Sequence, residues 1–510
     1  MHATRPSANP PRPRRLRLVR LSLFLFWGAI VIALGYGISD LRGFMGWNNY
    51  RRKCEALGVS LNLQSYIPEE IPESENSAAI PLVYSWLDRD ETNCVFDHDH
   101  FNSVSSNDAL MSARGGSQPH FCDLVAWRDA FDAGAQAEAH STNRALSGQC
   151  DASSRAWAAP AVLEALKDDD IVFEELRRAS RRGQARYPIA YNMDDPWSIR
   201  LPHLMRIKQC CRRLDLKACA ELALNQSSNA LADVKLALFL ADSVKEEPII
   251  ISWLVRLVCV QMAIDPVWEG LAEHRWSATQ LEELQTVFEH CDFYHGLDKS
   301  LRFERAAGVF TVDLIQRRGL PALAGNADFL APRWSIARLI PSGWYDQEKL
   351  QYCRLLDLQS QSARDATRAL SPRQIDANTA AARKMLSGTF WPMVHHRLIA
   401  QRLLPRWNRF AFQGATTIVS TDQASLACAL ERYRLAHGQY PDKLQSLSPD
   451  FISALPNDVI TGQPYKYRHN GDGKFVLYSV GWNEKDDGGI TGPKLFDEKE
   501  GDWVWSCPPN

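Results

Sequence analysis

From Leu21 to Ile38 the chain has no charged side chain: LSLFLFWGAIVIALGYGI. Such a run is costly to leave against water, and as a helix it is just long enough to cross the roughly 30 Å apolar layer of a bilayer. Arg5, Arg12, Arg14, Arg15, Arg17 and Arg20 precede it. Basic residues resist translocation, so this excess predicts an N-terminus held in the cytoplasm. The expectation is a single-pass protein of the inner (cytoplasmic) membrane. It would have a basic tail at 1–20, a transmembrane helix at 21–38 and its bulk extracytoplasmic. A cleaved signal peptide is the alternative, since Ala33 and Gly35 are small enough for a cleavage site. A helix buried in a soluble core is the third reading, and a basic tail beside a charge-free run speaks against it.

The rest of the 510 residues suffices for two or more domains with a large core. A net charge of -2 gives no basic field, so no nucleic-acid partner is expected. Residues 39–153 open with a short helix at Tyr50–Leu57 and turn Pro-rich in SYIPEEIPESENSAAIPL, the composition of an extended linker. Over 154–413 apolar residues recur at three and four positions, as in AVLEALKDDDIVFEELRRAS, LPHLMRIKQCCRRLDLKACAELAL and ATQLEELQTVFEHC. That spacing predicts amphipathic helices stacked in an irregular array. Pro248 and Ser277 suit helix starts. RYPIAYNMDDPWSIRLPHL interrupts the pattern, with Tyr187, Tyr191 and Trp197 expected to pin it down, and Leu320–Trp344 reads as a lid. A second apolar run, Ile249–Ile264, contains Arg256, which is expensive in lipid, so it reads as a buried core helix.

The last segment, 414–510, changes character. Ile418, Ser425, Leu426, Cys428, Ala429, Leu430 and Tyr433 fall on one helical stripe. Gly438 stands where a left-handed cap is needed, and Pro441 forbids continuation. Gln463–Tyr467 and Lys474–Ser479 read as strands joined by Asn470-Gly471-Asp472-Gly473, a strong hairpin signal. In order and spacing, ALERYRLAHGQYPDKLQSL, DVITGQPYKYR and FVLYSVGWNEKDDGG resemble the globular part of type II secretion major pseudopilins. Tyr433, Arg434, Gly438, Tyr440, Pro441, Gly462, Pro464, Tyr465, Tyr467, Leu477, Tyr478, Ser479, Gly481, Gly488 and Gly489 carry the likeness. The whole chain also resembles uncharacterised membrane-anchored proteins of planctomycete and verrucomicrobial type.

The pseudopilin resemblance implies a small α+β module, a place in an envelope or secretion-related assembly, and calcium in the acidic loop on Asn483, Glu484, Asp486 and Asp487, whose oxygens suit a hard cation. The chain departs from that family in two ways. Its apolar run is separated from the module by most of the chain, and RLVRLSLFLFW lacks a Gly before a Phe-x-x-x-Glu pattern, so assembly into a pilus through a processed N-terminus is not expected.

Chemistry is thinly marked. Cys94, Asp97, His98, Asp99, His100, His120 and Cys122 lie close in sequence; on strands, His98 and His100 would share a face, as would His120 and Cys122. His98, His100, His120 and Cys122 would make a zinc site; a polar loop with a Cys94–Cys122 disulfide or two free thiols is the plainer account. Cys259 and Cys428 fall on apolar stripes and read as buried small hydrophobes. The pairing of the twelve cysteines is not readable. The chain has no nucleophile elbow, metalloprotease motif, phosphate loop or dinucleotide fingerprint, and no catalytic residue is assigned. His395 and His396 are adjacent and point apart. The expected fold is mainly α: an N-terminal transmembrane helix, a large extracytoplasmic α-helical array and a small C-terminal α+β module. The expected role is structural or interaction-based, with a protein partner in the cell envelope. An extracytoplasmic metal-dependent enzyme using the Cys94–Cys122 region is the alternative, and a membrane-crossing sensor the weaker third.

Overall fold

The computed structural model describes residues 14–87, 120–133, 152–192, 195–318, 340–361, 370–387, 396–404, 406–470 and 473–506. In chain order the helices are α1 (Arg14–Ala56), α2 (Pro81–Ser85), α3 (Leu124–Ala133), α4 (Ala152–Ala165), α5 (Asp170–Ser180), α6 (Pro202–Ala223), α7 (Ser227–Asp242), α8 (Ile250–Ala272), α9 (Ala278–Glu289), α10 (Tyr294–Arg318), α11 (Ser342–Ser360), α12 (Pro372–Leu386), α13 (Leu398–Leu403) and α14 (Trp407–His437). The strands are β1 (Lys466–Asn470), β2 (Lys474–Ser479) and β3 (Trp503–Ser506). The fold is thus mainly helical, with one small C-terminal sheet. Residues 320–339 of the expected lid (Leu320–Trp344), the hairpin tip at 471–472, and His98, His100, Cys94 and His395 lie outside the described residues.

The chain divides into two compact units. The first holds Met1–Leu61, Gly308–Leu355 and Met385–Leu404. Here α1 is one unbroken helix rather than a span ending at Ile38 and a second helix at Tyr50, because ISDLRGFMGWNNYRRKCEA contains no proline and only isolated glycines. Its later half lies against α11 at a crossing that admits no side chain: a Cβ on Gly43 would stand 2.1 Å from the Gly343 carbonyl oxygen. The Asp40 carboxylate accepts the Gly343 N–H at 2.6 Å and the Ser342 hydroxyl at 3.1 Å, capping the start of α11. Glu348 does the same for α13, accepting the N–H groups of Leu398 at 2.8 Å and Ile399 at 3.1 Å; burial pushes this carboxyl up to about 7. Val312, Ile315, Tyr345 and Ile399 form the unit's small core.

The second unit holds Asn62–Ala307, Leu356–Lys384 and Pro405–Asn510. Its axis is α8, which packs on α6, α7 and α14. Cys259, Val260, Ala263, Ile264 and Val267 are buried there, as the apolar stripe predicts. Arg256 is tolerated because it is fully partnered: Nε and Nη2 reach Asp242 at 2.9 and 2.7 Å, and Nη1 donates to the Asp292 carbonyl at 2.7 Å. Ser277 opens α9 with a reciprocal capping box to Gln280, as the sequence suggested. Gly438 ends α14 in the left-handed conformation (φ 78°), its N–H on the Arg434 carbonyl at 2.8 Å.

Several expectations in this unit shift. The helix α3 was read as part of an irregular region. Trp197 was expected to pin a loop and is instead 45 % exposed, while Tyr187 is buried and stacked on His203. The sheet is antiparallel in the order β1-β2-β3, with Tyr467 opposite Leu477 and Leu477 opposite Trp505. β1 begins at Lys466, not Gln463, because 458–463 is closed as a turn by Asp458 N–H to the Gln463 carbonyl (2.8 Å) and Gly462 N–H to the Asp458 carbonyl (2.7 Å). β3 was not foreseen: four residues near the chain end give too short a pattern for alternation to register.

Candidate functional site

Among the described residues, the longest run of exposed apolar side chains belongs to α1. Phe24, Leu25, Phe26, Trp27, Val31, Ile32, Leu34 and Ile38 are all exposed, and none of the apolar window that starts at Ser22 is buried. This helix is long and apolar enough to cross a membrane, a property that signal sequences share.

A second candidate lies in the C-terminal module, where carboxylates gather. Asp422 projects from α14 and accepts the Tyr465 hydroxyl at 2.8 Å; burial pushes its carboxyl up to about 7, with Asp458 adding to the rise. Asp458 accepts the Ile460 N–H at 2.9 Å and the Ser479 hydroxyl at 3.0 Å, contacts that hold the turn before β1. Both face a cavity of about 360 Å³, whose wall also includes Glu289 and Asp292. On the same helix burial would raise Glu431, but hydrogen bonds from Arg434, His274 and Tyr440 outweigh it and hold the carboxylate at about 2. Sequence reasoning passed over Asp422, although its one signal was present: a lone acid in the weakly polar stretch IVSTDQASLACAL.

The four residues expected to bind calcium are placed as follows. Asp486 accepts the Tyr478 hydroxyl at 3.0 Å and the Gly488 N–H at 3.1 Å, and faces Lys466 at 3.5 Å; the Gly488 N–H is the main reason its carboxyl is lowered. Asp487 accepts the Asn483 amide at 3.3 Å. Glu484 turns to the start of α12, where it meets Arg373 Nε at 2.7 Å and its N–H at 3.1 Å. The loop is tied instead by buried Asp502, missed in the sequence, which accepts the N–H groups of Asp487 at 3.2 Å and Gly489 at 2.6 Å. As placed, the four side chains do not converge on one point, and two carry bonds to cationic side chains. They do not fit a calcium ion as a set, since calcium takes six to eight oxygens.

Of the expected zinc residues, His120 is exposed and Cys122 is half-buried, its backbone N–H on the Glu269 carboxylate. No group of three His, Cys, Asp or Glu set for a metal occurs among the described residues.

A larger cavity of the second unit, about 740 Å³, has apolar walls from Ile67, Ile71, Leu238 and Phe239 and includes Lys235 and Lys299 in its lining. Its size falls in the range of small-ligand sites. Comparison with known proteins gives no further assignment: no protein-family model, curated protein or solved structure matches the chain.

Proposed function

We propose that this chain is a membrane-anchored interaction protein, held by Leu21–Ile38, with its helical array and C-terminal module on the extracytoplasmic side of the inner membrane. In this reading α1 supplies only attachment. The second unit supplies the docking surface for a protein partner of the envelope, and the pseudopilin-like module contributes a compact element to that assembly. The observation that carries the reading is the apolar run of α1, which leaves its large side chains exposed along the described length and needs an apolar phase to cover them.

Alkaline carbonate extraction of membranes, combined with reporters fused to each end, tests it. The expected result is a chain that resists extraction, with its C-terminus outside the cytoplasm and an N-terminus beginning at or near Met1. A chain released by carbonate, or a mature form starting just after Gly35, would overturn the anchor. Elemental analysis of the chelator-free protein tests the loop: stoichiometric calcium, lost when Asp486 and Asp487 are changed to Asn, would return the cation to the module.

A further inference from the structure

We propose that the cavity of about 740 Å³ in the second unit is a binding site for a single-chain amphiphile with one negative charge, such as a fatty carboxylate. Tyr66, Ile67 and Ile71 from the segment before α2, and Leu238 and Phe239 from α7, give it apolar walls. These walls are held in place. The Pro-rich stretch has the composition of an extended linker, yet it is pinned to residues 182–186. Arg186 Nε donates to the Pro68 carbonyl at 3.1 Å, and the Asn76 side chain takes both the Arg186 N–H (2.8 Å) and its carbonyl (2.9 Å). The Ser77 N–H donates to the Gln184 carbonyl at 2.8 Å, and Tyr66 meets Phe303 edge to face at 6.3 Å. A cavity set before its ligand arrives spares the cost of ordering loops on binding, and its volume suits one apolar chain with a small head.

The charge of the head follows from the lining. Lys235, Lys245, Lys299 and Arg186 stand against Glu69, Asp242 and Glu246, so four cations face three carboxylates. Two of the acids are already engaged. Asp242 accepts Arg256 Nε and Nη2 at 2.9 and 2.7 Å, and Glu246 accepts Lys299 Nζ at 2.8 Å, a bond that lowers its carboxyl and keeps it charged. The ammonium groups, with three N–H donors each, keep donors to spare. Lys235 spends one on Glu283 at 2.7 Å, and Lys299 spends two on the carboxylate and carbonyl of Glu246. Lys245 is 3.6 Å from Asp242, too far for a hydrogen bond. Glu70 stands 4.0 Å from Arg186 but is 92 % exposed, and a pair so placed in water adds little. A carboxylate head only accepts, so it can take several of the spare N–H groups at once, while its chain leaves water against the apolar walls. A cationic head would find Asp242 and Glu246 occupied. Nothing in this site depends on the compartment that holds the second unit.

The test is photolabelling of the full-length chain in an uncharged detergent with dodecanoic acid that carries a diazirine in mid-chain. Digestion and mass spectrometry then locate the adducts, which separates labelling of the cavity from labelling of the apolar run of α1. The expected adducts fall on residues 66–71 and on Leu238 or Phe239, and unlabelled dodecanoate removes them. The matching dodecanol probe should label these positions about fivefold less, and Lys235→Gln combined with Lys245→Gln should lower labelling by the acid about tenfold below saturation, because charge-assisted contacts to the head are lost. Both lysines are exposed, so the pair of changes leaves the core untouched. Adducts confined to α1, equal labelling by the alcohol, stronger labelling by a dodecylamine probe, or indifference to the two substitutions would overturn the proposal. Displacement by phosphatidylglycerol vesicles and not by dodecanoate would overturn it as well, since the ligand would then be a two-chain lipid.

Discussion

The helices α1 and α8 are both long and apolar enough to span a bilayer, yet their environments are opposite. None of the apolar window of α1 is buried, whereas 61 % of that of α8 is. The difference lies in what each side chain can find. α8 is surrounded by α6, α7 and α14, and its one awkward group, Arg256, has Asp242 and the Asp292 carbonyl as partners. The stretch of α1 from Leu21 to Ile38 contains no charge to satisfy, and Phe24, Leu25, Phe26, Trp27, Val31, Ile32, Leu34 and Ile38 within it are left exposed. Apolarity sets a demand for cover; neighbours decide whether protein or lipid meets it.

The largest expected effect comes from placing charge in α1. The double substitution Val31→Arg and Leu34→Arg should cost about 5–7 kcal/mol of insertion, at about 2.5–3.5 kcal/mol for each central Arg. Carbonate-resistant membrane retention should then be lost. Unchanged retention would mean that this run does not sit in lipid.

The next test is pH, which should act on the surroundings of α8 and not on α1. The Asp422 carboxyl, on a helix packed against α8, has an ordinary value of 3.8 and is pushed up to about 7 by burial. Its folded-state value lies above the unfolded one, so its stabilising contribution is complete below about pH 4 and is lost as pH rises through 7. Asp422→Asn should therefore stabilise the protein at pH 8, by up to roughly 4 kcal/mol, and change little at pH 4. Thermal melts of the detergent-solubilised chain at both pH values read this directly, and an equal effect at both would refute the assignment. Membrane retention should not vary over the same range.

A similar or slightly smaller effect is expected from Arg256→Leu. It makes α8 more apolar and therefore a better membrane candidate by composition. It should nonetheless destabilise the fold by about 3 kcal/mol, since Asp242 and the Asp292 carbonyl lose their partner. A melt no lower than wild type would show that α8 does not depend on this pair.

The smallest effects are expected from two matched glycines. A Cβ on Gly270 of α8 would lie 2.1 Å from Trp276 Nε1, while one on Gly35 of α1 would meet nothing within 4 Å. Gly270→Ala should cost about 1–3 kcal/mol through overpacking, and Gly35→Ala should be within about 0.5 kcal/mol of neutral. Equal melting shifts for the two would erase the contrast between a packed and an unpacked helix.

How much was readable depended on whether a feature is local. Ser277 with Gln280, Gly438, and the apolar stripes holding Cys259 and Cys428 were legible because caps and periodicity are written within a few residues. The acidic loop was also visible, but its geometry was not: Glu484 is drawn away by Arg373, and the loop is tied by Asp502 from beyond it. Nor could the bond from the Cys122 N–H to the Glu269 carboxylate be read, since only the packing of the 122 segment brings it to α8.

The sequence alone determined that one N-terminal run would demand an apolar cover, that the bulk would be helical, and that a small α+β element would close the chain. These follow from composition and period, which act over short distances. Tertiary structure alone decided which groups pair with the arginine of the second apolar run and that Asp422 packs half-buried against Tyr465. Each depends on residues 14 to 43 positions apart, and only tertiary packing brings them into contact.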